Sequence, residues 1–284
     1  MMLEEKASAK INLCLHVVGQ KSNGFHLLDS IVGFTDFGDH LSFEKSDRLK
    51  LSVRGAFSNQ IPLDETNLVL KAAEILRKIN NIECGAHITL TKNLPPSSGL
   101  GGGSSDAAAA IRGLSRLWQV DPPELAYLMQ IGSDLPVCIN QKTQHMKGFG
   151  EILKEIETFP TLPILLVNPL KKVSTQTVFR MLKNKQNSPL RGYEKLIRTK
   201  KDWINWLLLQ RNDLTIPAIS IEPAISEVLQ TISTQTSVEK FSMSGSGATC
   251  FGIFKNKKDC DLALEKLRQE RPEWWSVSTE ILSI

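Results

Sequence analysis

The sequence predicts an α+β protein made of two domains. Segments with the two-residue alternation of a β-strand are interspersed with segments of helical spacing. They do not alternate regularly enough for a doubly wound parallel sheet. With 284 residues, 41% of them hydrophobic and 23% charged, the chain can bury a hydrophobic core without disulfides or structural metal ions to stabilise it. A proline-bounded segment at 160–163 marks the predicted domain boundary, which gives domains 1–160 and 161–284.

Apolar spacing defines the elements of the N-terminal half. Residues 11–17 alternate apolar and polar side chains, which predicts a strand with one buried face. Residues 67–79 carry apolar side chains at helical spacing, with Thr66 as the predicted N-cap. Residues 106–118 contain an alanine run and predict a second helix. A strand at 87–91 and a short helix at 124–131 complete this half.

The C-terminal half is predicted from the same two patterns. We expect strands at 164–167, 248–254 and 276–281, and helices at 203–209, 224–232 and 258–270.

Composition and charge exclude several classes of protein. A net charge of +4 is too small to predict a polyanionic partner. No stretch approaches the roughly 18 apolar residues of a transmembrane helix, and the N-terminus lacks the apolar core of a signal peptide. Five scattered cysteines without a C-x-x-C pair predict free thiols in the cytoplasm. The histidine spacing predicts no bound transition metal.

A cluster of glycines at 94–110, reading LPPSSGLGGGSSDAAAA, is the strongest functional feature. It lies between a predicted strand and the alanine-rich helix. Glycines allow backbone amides to converge on one point, and the helix adds unpaired N–H groups and a partial positive charge. Together they predict an anion site, most naturally for phosphate. The alternative is a glycine turn in which Ser104 or Ser105 only caps the helix. The segment matches neither the P-loop nor the G-x-G-x-x-G pattern.

Three further segments are ambiguous when each is taken alone. Lys10, in AKINL, is either a site residue or a solvated lysine at a strand end. Asp134, in IGSDLP, is either a catalytic acid or a turn former. The second glycine-rich segment, 242–250, is either a tight hairpin or a ligand-contacting loop.

Taken together, these four segments resemble the GHMP kinases. Within that superfamily the sequence is most similar to the kinases of 4-diphosphocytidyl-2-C-methyl-D-erythritol, through residues 19–30, 66–73 and 148–153 as well. The resemblance implies an N-terminal ribosomal-protein-S5-like domain that binds ATP and a C-terminal ferredoxin-like α/β domain. It places the active site in the cleft between them.

The resemblance also implies an activity. ATP phosphorylates the 2-hydroxyl of the cytidyl diphosphate substrate in the non-mevalonate isoprenoid pathway, with Mg²⁺ required. Asp134 corresponds to the general base and Lys10 to the lysine beside it. The expected ATP-binding residues are Pro95, Gly99, Leu100, Gly101, Gly102, Gly103, Ser104, Ser105, Asn67 and Leu68. The expected substrate-binding residues are Asn12, Phe25, His26, Thr175 and Phe179. Without the resemblance, Phe25 and Phe179 would instead be interpreted as core aromatics. No protein ligand of the metal is assigned.

The expected partners are therefore ATP and the small-molecule substrate, with neither nucleic acid nor membrane. The expected assembly is a monomer or weak homodimer. The sequence departs locally from the family pattern, because Phe25 replaces a common Tyr and Ser97 and Ser98 replace Gly or Ala. Ser8 and Ser133 replace a common Pro and Ala. These changes leave Lys10, Asp134 and the glycines intact.

Three rival functions remain. The first is another GHMP kinase acting on homoserine, mevalonate or a sugar. The second is a ligand sensor on the same fold, although a sensor does not need the base. The third is nucleic-acid binding by the basic stretch 183–201, for which a solvated face is the preferred interpretation because few aromatic residues are interleaved.

Overall fold

The computed structural model describes residues 2–22, 24–193, 197 and 199–283. In chain order the strands are β1 (Leu3–Gln20), β2 (His26–Ser46), β3 (Lys50–Arg54), β4 (Gly85–Thr91), β5 (Gln144–Gly148), β6 (Ile152–Glu155), β7 (Leu162–Asn168), β8 (Val238–Met243), β9 (Cys250–Phe254) and β10 (Trp275–Ile281). The helices are α1 (Leu68–Asn80), α2 (Gly102–Trp118), α3 (Leu125–Ile131), α4 (Leu135–Asn140), α5 (Thr175–Met181), α6 (Lys200–Leu208), α7 (Thr215–Ile221), α8 (Ala224–Ser233) and α9 (Lys257–Glu270).

The chain forms two compact units that interleave along the sequence. Unit 1 contains the chain up to Ala9, Gly38–Pro96 and Gly101–Gln141, and unit 2 contains Lys10–Phe37, Ser97–Leu100 and the chain from Lys142 onward. The long strands β1 and β2 and the first glycine-rich segment contribute residues to both units. The division into 1–160 and 161–284 stays a prediction about the domains.

Unit 1 packs α1 and α2 in one core with a small sheet. The second half of β2 pairs antiparallel with β4, and β3 pairs parallel with β4. The four alanines 107–110 are fully buried, because their small side chains allow the helices to approach closely. Gly113 lies where a Cβ atom would come within 2.2 Å of the Phe43 ring. The alanine run is thus explained by helix packing.

Unit 2 contains an antiparallel sheet in the order β10, β7, β9, β8. Every residue of the central strand β7 is buried. β5 pairs with the first half of β2 and with β6. Helices α5, α7, α8 and α9 contribute apolar residues to a second core, which includes Val178, Ala218, Val228 and Leu267.

The predicted strands and helices are all present, with shifted ends. Two details were wrong. Asn67, not Thr66, caps α1: its side chain accepts a hydrogen bond from the Val69 amide at 2.8 Å, while Thr66 bonds to Asp64. All seven residues 11–17 are buried, so the polar face of β1 is not solvated.

Several elements were not predicted, because their sequences are short or rich in polar residues. They are β2, β3, β5, β6, β8, α4, α5 and α7. In addition, α2 begins at Gly102, four residues before the predicted start, because glycines carry little helix propensity.

Three surface and composition predictions have structural counterparts. All five cysteines are free, and only Cys84 is exposed. Burial raises the pKa of Cys14 to about 12. In the basic stretch, Lys183 and Lys201 are exposed, Lys185 is half-buried and donates to Gln20 Oε1 at 3.0 Å, and Lys195 and Arg198 lie outside the described residues. Within the described part of the chain, none of the helices has the length and apolar composition that crossing a bilayer requires.

Candidate active site

The start of helix α2 has the geometry of an anion site. Gly101 occupies its N-cap position with φ 61°, a left-handed conformation that favours glycine. No side chain of the described residues caps this end of the helix. The first intrahelical bond runs from the Ser105 amide to the Gly101 carbonyl at 2.8 Å. The preceding amides therefore remain available to an anion.

This geometry excludes the alternative that Ser104 or Ser105 caps the helix. Both serines lie inside α2. The Ser105 hydroxyl is buried and points to Cys138 Sγ, 3.5 Å away, whereas Ser104 is half-buried. Ser104 is thus the more accessible hydroxyl of the pair.

The residues that precede α2 in the glycine-rich segment are fixed within unit 2. The Ser98 carbonyl accepts a hydrogen bond from the Thr249 amide at 3.0 Å, and the Leu100 carbonyl accepts one from the Lys10 amide at 2.9 Å. The Gly99 carbonyl accepts a bond from Ser244 Oγ at 2.8 Å. Gly99 has φ 79°, and a Cβ atom there would lie 2.4 Å from the Ser244 carbonyl oxygen. Only glycine fits at this contact.

The second glycine-rich segment is both a hairpin and a support for the first. It connects the paired strands β8 and β9, with the Ser244 amide bonded to the Thr249 carbonyl at 2.9 Å. Asn212 Nδ2 donates to the carbonyls of Met243 and Gly245, each at 2.8 Å. The two interpretations left open by the sequence are therefore compatible.

Lys10 is buried, with 4% of its surface exposed, so it is not a solvated strand-end lysine. Its ammonium donates to Asn12 Oδ1 at 3.0 Å. Asn12 Nδ2 donates in turn to Ser30 Oγ at 2.8 Å, and the Asn12 amide bonds to Ser244 Oγ at 3.1 Å. Lys10 and Asn12 are thus joined to the hairpin that holds Gly99.

Aromatic rings gather around two of the predicted substrate residues. The rings of His26 and Phe179 lie 4.9 Å apart at 31°. Phe25 is 60% exposed, so it is not a core aromatic, and it contacts Phe149 edge-on at 5.6 Å. Phe179 is half-buried and packs against the core of unit 2, so the core interpretation holds for part of its ring. Lys21 Nζ lies 4.2 Å from the centre of the Phe149 ring. Neither Phe149 nor Lys21 was among the predicted substrate-binding residues. Phe149 lies within the segment 148–153 that resembles the family, and this was the only indication from the sequence at that position.

Two further observations concern the predicted substrate-binding residues His26 and Thr175. Burial lowers the pKa of His26, and the charge of Lys185 lowers it further, so the imidazole is neutral at neutral pH. Thr175 begins α5 on the surface, and its hydroxyl lies 2.7 Å from that of Ser246 in the second glycine-rich segment. Thr175 is therefore connected to the same hairpin as Asn12.

Asp134 lies at the N-cap position of α4 and is half-buried. Its side chain makes no capping hydrogen bond to α4, and the backbone turns at this position, with the Leu135 amide bonded to the Gly132 carbonyl at 3.1 Å. The neighbouring Gly132 lies close to the first turn of α2, because a Cβ atom there would be 3.8 Å from Ser104 Oγ. The segment that carries Asp134 thus borders the anion site.

Of the predicted pair Asn67 and Leu68, Leu68 lies next to the start of α2. A Cβ atom at Gly103 would lie 3.4 Å from a methyl group of Leu68. The Asn67 side chain is engaged by Val69 and by the Pro62 carbonyl, to which Nδ2 donates at 2.7 Å. Pro95 is buried just before the glycines.

Comparison with known families identifies both parts of the chain. The profile of the GHMP kinases N terminal domain matches residues 67–146, and that of the GHMP kinases C terminal domain matches residues 194–273. The first match contains the glycine-rich segment and Asp134.

Relatives of similar length share much of the sequence. A 4-diphosphocytidyl-2-C-methyl-D-erythritol kinase of Paramagnetospirillum magneticum is 43% identical, with 98% of each chain covered. One of Ruegeria pomeroyi is 42% identical over 99% of this chain and 100% of its own.

Solved structures show the same architecture. A crystal structure of 4-(cytidine 5'-diphospho)-2C-methyl-D-erythritol kinase superposes with a TM-score of 0.83 at 26% identity, covering 98% of this chain and 99% of its own. A homoserine kinase from Cytophaga hutchinsonii reaches 0.70 at 16% identity, covering 99% and 95%, and so shares the fold.

Proposed function

The chain belongs to the 4-diphosphocytidyl-2-C-methyl-D-erythritol kinases of the GHMP kinase superfamily, and we propose that it catalyses their reaction. It transfers the γ-phosphoryl group of ATP to the 2-hydroxyl of 4-diphosphocytidyl-2-C-methyl-D-erythritol, in the isoprenoid precursor pathway that does not use mevalonate. The observation that carries the proposal is the uncapped start of α2 behind Gly101, in a chain 43% identical to such a kinase over 98% of its length.

The proposed mechanism gives each residue a chemical task. The substrate hydroxyl oxygen attacks the γ-phosphorus, the bond from phosphorus to the ADP oxygen breaks, and Asp134 accepts the hydroxyl proton. Lys10 supplies positive charge that stabilises the transferring phosphoryl group. The amides at the start of α2 bind the ATP phosphates, which requires no side chain and explains the glycines.

We propose that Mg²⁺ arrives with ATP rather than as a resident ion. Among the described residues, no group of three His, Cys, Asp or Glu side chains is arranged to hold a metal. Mg²⁺ commonly binds through substrate phosphates and only one or two protein oxygens. The ion neutralises charge on the phosphates when bound.

The rings of Phe25, His26 and Phe179 suit a pyrimidine. Aromatic faces stack on nucleobases, and a neutral imidazole offers both a donor and an acceptor to the polar edge of cytosine. We assign Asn12 and Thr175 to the polar part of the same substrate. The enzyme acts in the cytoplasm as a monomer or weak homodimer, and its partners are small molecules.

A coupled assay of ADP release with Mg²⁺ tests the proposal. Four acceptors are compared in parallel: the cytidyl diphosphate substrate, mevalonate, homoserine and galactose. We expect turnover with the first alone. Turnover with another acceptor would keep the kinase chemistry and overturn the substrate assignment. ATP binding without turnover on any acceptor would favour a ligand sensor.

A further inference from the structure

Three charged side chains are buried together inside unit 1. Lys92 is 2% exposed, Asp39 is 0% exposed and Asp106 is 3% exposed. The Lys92 ammonium lies 2.5 Å from Asp39 Oδ2 and 2.5 Å from Asp106 Oδ2. We refer to Lys92, Asp39 and Asp106 as the buried charge cluster. Burying charge is costly, so such a group persists only where it serves the structure or the chemistry.

The cluster joins the two ends of the glycine-rich segment. Lys92 follows β4 and leads into that segment, whereas Asp106 lies in the second turn of α2. On the first side, Asp39 Oδ1 accepts hydrogen bonds from the amides of Asn93 at 2.6 Å and Leu94 at 2.9 Å. One ammonium therefore connects the chain before the glycines with the helix after them.

The ammonium also lies against the first residue of the helix. A Cβ atom at Gly102 would be 3.1 Å from Lys92 Nζ, which is tighter than ordinary contacts between such atoms. A side chain at Gly102 would therefore crowd the Lys92 ammonium, which would have to shift by a few tenths of an ångström. A change of this lysine alters the position of the backbone that carries the free amides.

We propose that Lys92 is a positioning residue for the phosphate donor, because its bridge between Asp39 and Asp106 sets the orientation of the first turn of α2. The proposal rests on the proposed function in one respect, since it takes the start of α2 as the ATP-phosphate site. Lys92 has no contact with ATP in this role and acts through the backbone of Gly102.

The protonation state of Asp106 affects the net charge of the buried charge cluster. The charged groups that face it are Lys92, from the segment after β4, and Asp39, from β2. Burial raises the pKa of Asp106 to about 8, although Lys92 pulls in the opposite direction. The negative charge of Asp39 raises the pKa of Asp106 further, and Asp106 Oδ1 is buried without a hydrogen-bond partner among the described residues.

The net charge of the buried charge cluster depends on whether Asp106 is protonated. With both carboxylates ionised, the cluster would carry one net negative charge close to the phosphate site. With Asp106 protonated it is neutral at neutral pH, and the attraction of the helix start for phosphate is not opposed. Burial lowers the pKa of Lys92, but the charges of Asp106 and Asp39 outweigh this effect and raise it overall, so the ammonium persists.

The first test compares Lys92→Met with Arg112→Met. Arg112 is a matched control, because it lies on the same helix and its ion pair to Glu5 at 2.8 Å also ties α2 to another element. We expect Lys92→Met to weaken the calorimetric affinity for ADP and to raise the KM for ATP by about 10-fold to 10²-fold, with the acceptor KM within about twofold. Arg112→Met should lower Tm and leave nucleotide affinity unchanged. Equal nucleotide affinity in the two folded variants would overturn the proposal.

A second test does not depend on the folding of Lys92→Met. In the wild type, nucleotide affinity should fall as pH rises through about 8, because Asp106 becomes charged. Asp106→Asn cannot ionise, so its affinity should stay level across this range. Identical pH profiles for the two proteins would contradict the role of the cluster. Nucleotide binding is read without turnover, so a failure of the substrate assignment would leave both tests interpretable.

The pH dependence of the free energy of unfolding is an independent test of whether Asp106 is protonated. A carboxyl whose pKa is raised on folding contributes stability fully below its unfolded value of 3.8 and loses it as pH rises through about 8. The free energy of unfolding should therefore decline with pH in this interval more steeply for the wild type than for Asp106→Asn. Parallel curves would show that Asp106 does not hold the proton.

Discussion

The start of α2 and the aromatic residues around His26 are held in different ways. Behind Gly102 lies the buried charge cluster, and backbone hydrogen bonds fix Ser98 and Leu100. The rings instead touch one another at 4.9 and 5.6 Å, and Phe25 is mostly exposed. In the proposed function, phosphate recognition depends on backbone geometry, so we expect a side chain at the glycines to abolish it. Nucleobase recognition, as proposed, depends on several ring contacts, so we expect the loss of one ring to weaken substrate binding without abolishing it.

The largest effect is expected at Asp134, the proposed general base, which takes part in neither phosphate nor nucleobase recognition. Asp134→Asn should lower kcat by about 10²-fold to 10⁴-fold, because an amide cannot accept the hydroxyl proton. The KM for ATP and the KM for the acceptor should both change little. Steady-state kinetics with each substrate varied in turn provides the measurement.

The matched control is Asp121→Asn, at an exposed aspartate just before α3. It should retain wild-type kcat. If Asp134→Asn were equally active, Asp134 would be removed from the mechanism.

Gly102→Val tests the backbone-dependent region. The added side chain would meet Lys92 Nζ, with even the Cβ atom at 3.1 Å, and it would displace the free amides. We expect the KM for ATP to rise by about 10²-fold with little change in the acceptor KM.

Gly113→Ala separates this effect from lost stability. It lies on the same helix, and its Cβ atom would clash with Phe43 at 2.2 Å. Its Tm should fall while the KM for ATP stays normal. A normal KM for ATP in Gly102→Val would mean that the phosphates bind elsewhere.

Phe179→Ala tests the ring-dependent region. Loss of a stacking face costs about 1–3 kcal/mol per base, so the KM for the cytidyl substrate should rise by about 10-fold to 100-fold. The KM for ATP should not change. The same substitution at Phe241, which is 41% exposed on β8, should leave both values unaltered. An increase confined to ATP would show that the pocket is misassigned.

Phe149→Ala is expected to have the smallest effect. Its ring holds Phe25 edge-on, and such a contact is worth about 0.5–1.5 kcal/mol. The acceptor KM should therefore rise by about 2-fold to 10-fold, because Phe25 remains but is less well positioned. Phe149→Leu keeps the apolar bulk and should fall between the alanine variant and the wild type. If all three proteins have the same acceptor KM, Phe25 does not depend on this contact.

Much of the fold, and the glycine-rich start of α2 proposed to bind phosphate, could be predicted because their signals are local. Glycines before a helix, alternation in β1 and the alanine run of α2 each act within a few residues along the chain. The strand β2 could not be read in this way, since its 21 residues include Asp29, Asp36 and Asp39. Asp29 and Asp39 are buried and find partners far away in sequence, His145 and Lys92. No periodicity of the sequence encodes such pairs.

By itself, the sequence determined the mixed α+β content, the glycine-rich segment before α2 and the family to which the chain belongs. These properties follow from backbone propensity and from motifs that keep their order along the chain. Tertiary structure alone decided that Lys10 is buried, that the second glycine-rich segment supports Gly99, and that Lys92 bridges Asp39 and Asp106 behind Gly102. Burial and long-range pairing set the charge and orientation of these groups, because both depend on neighbours that only folding brings into contact.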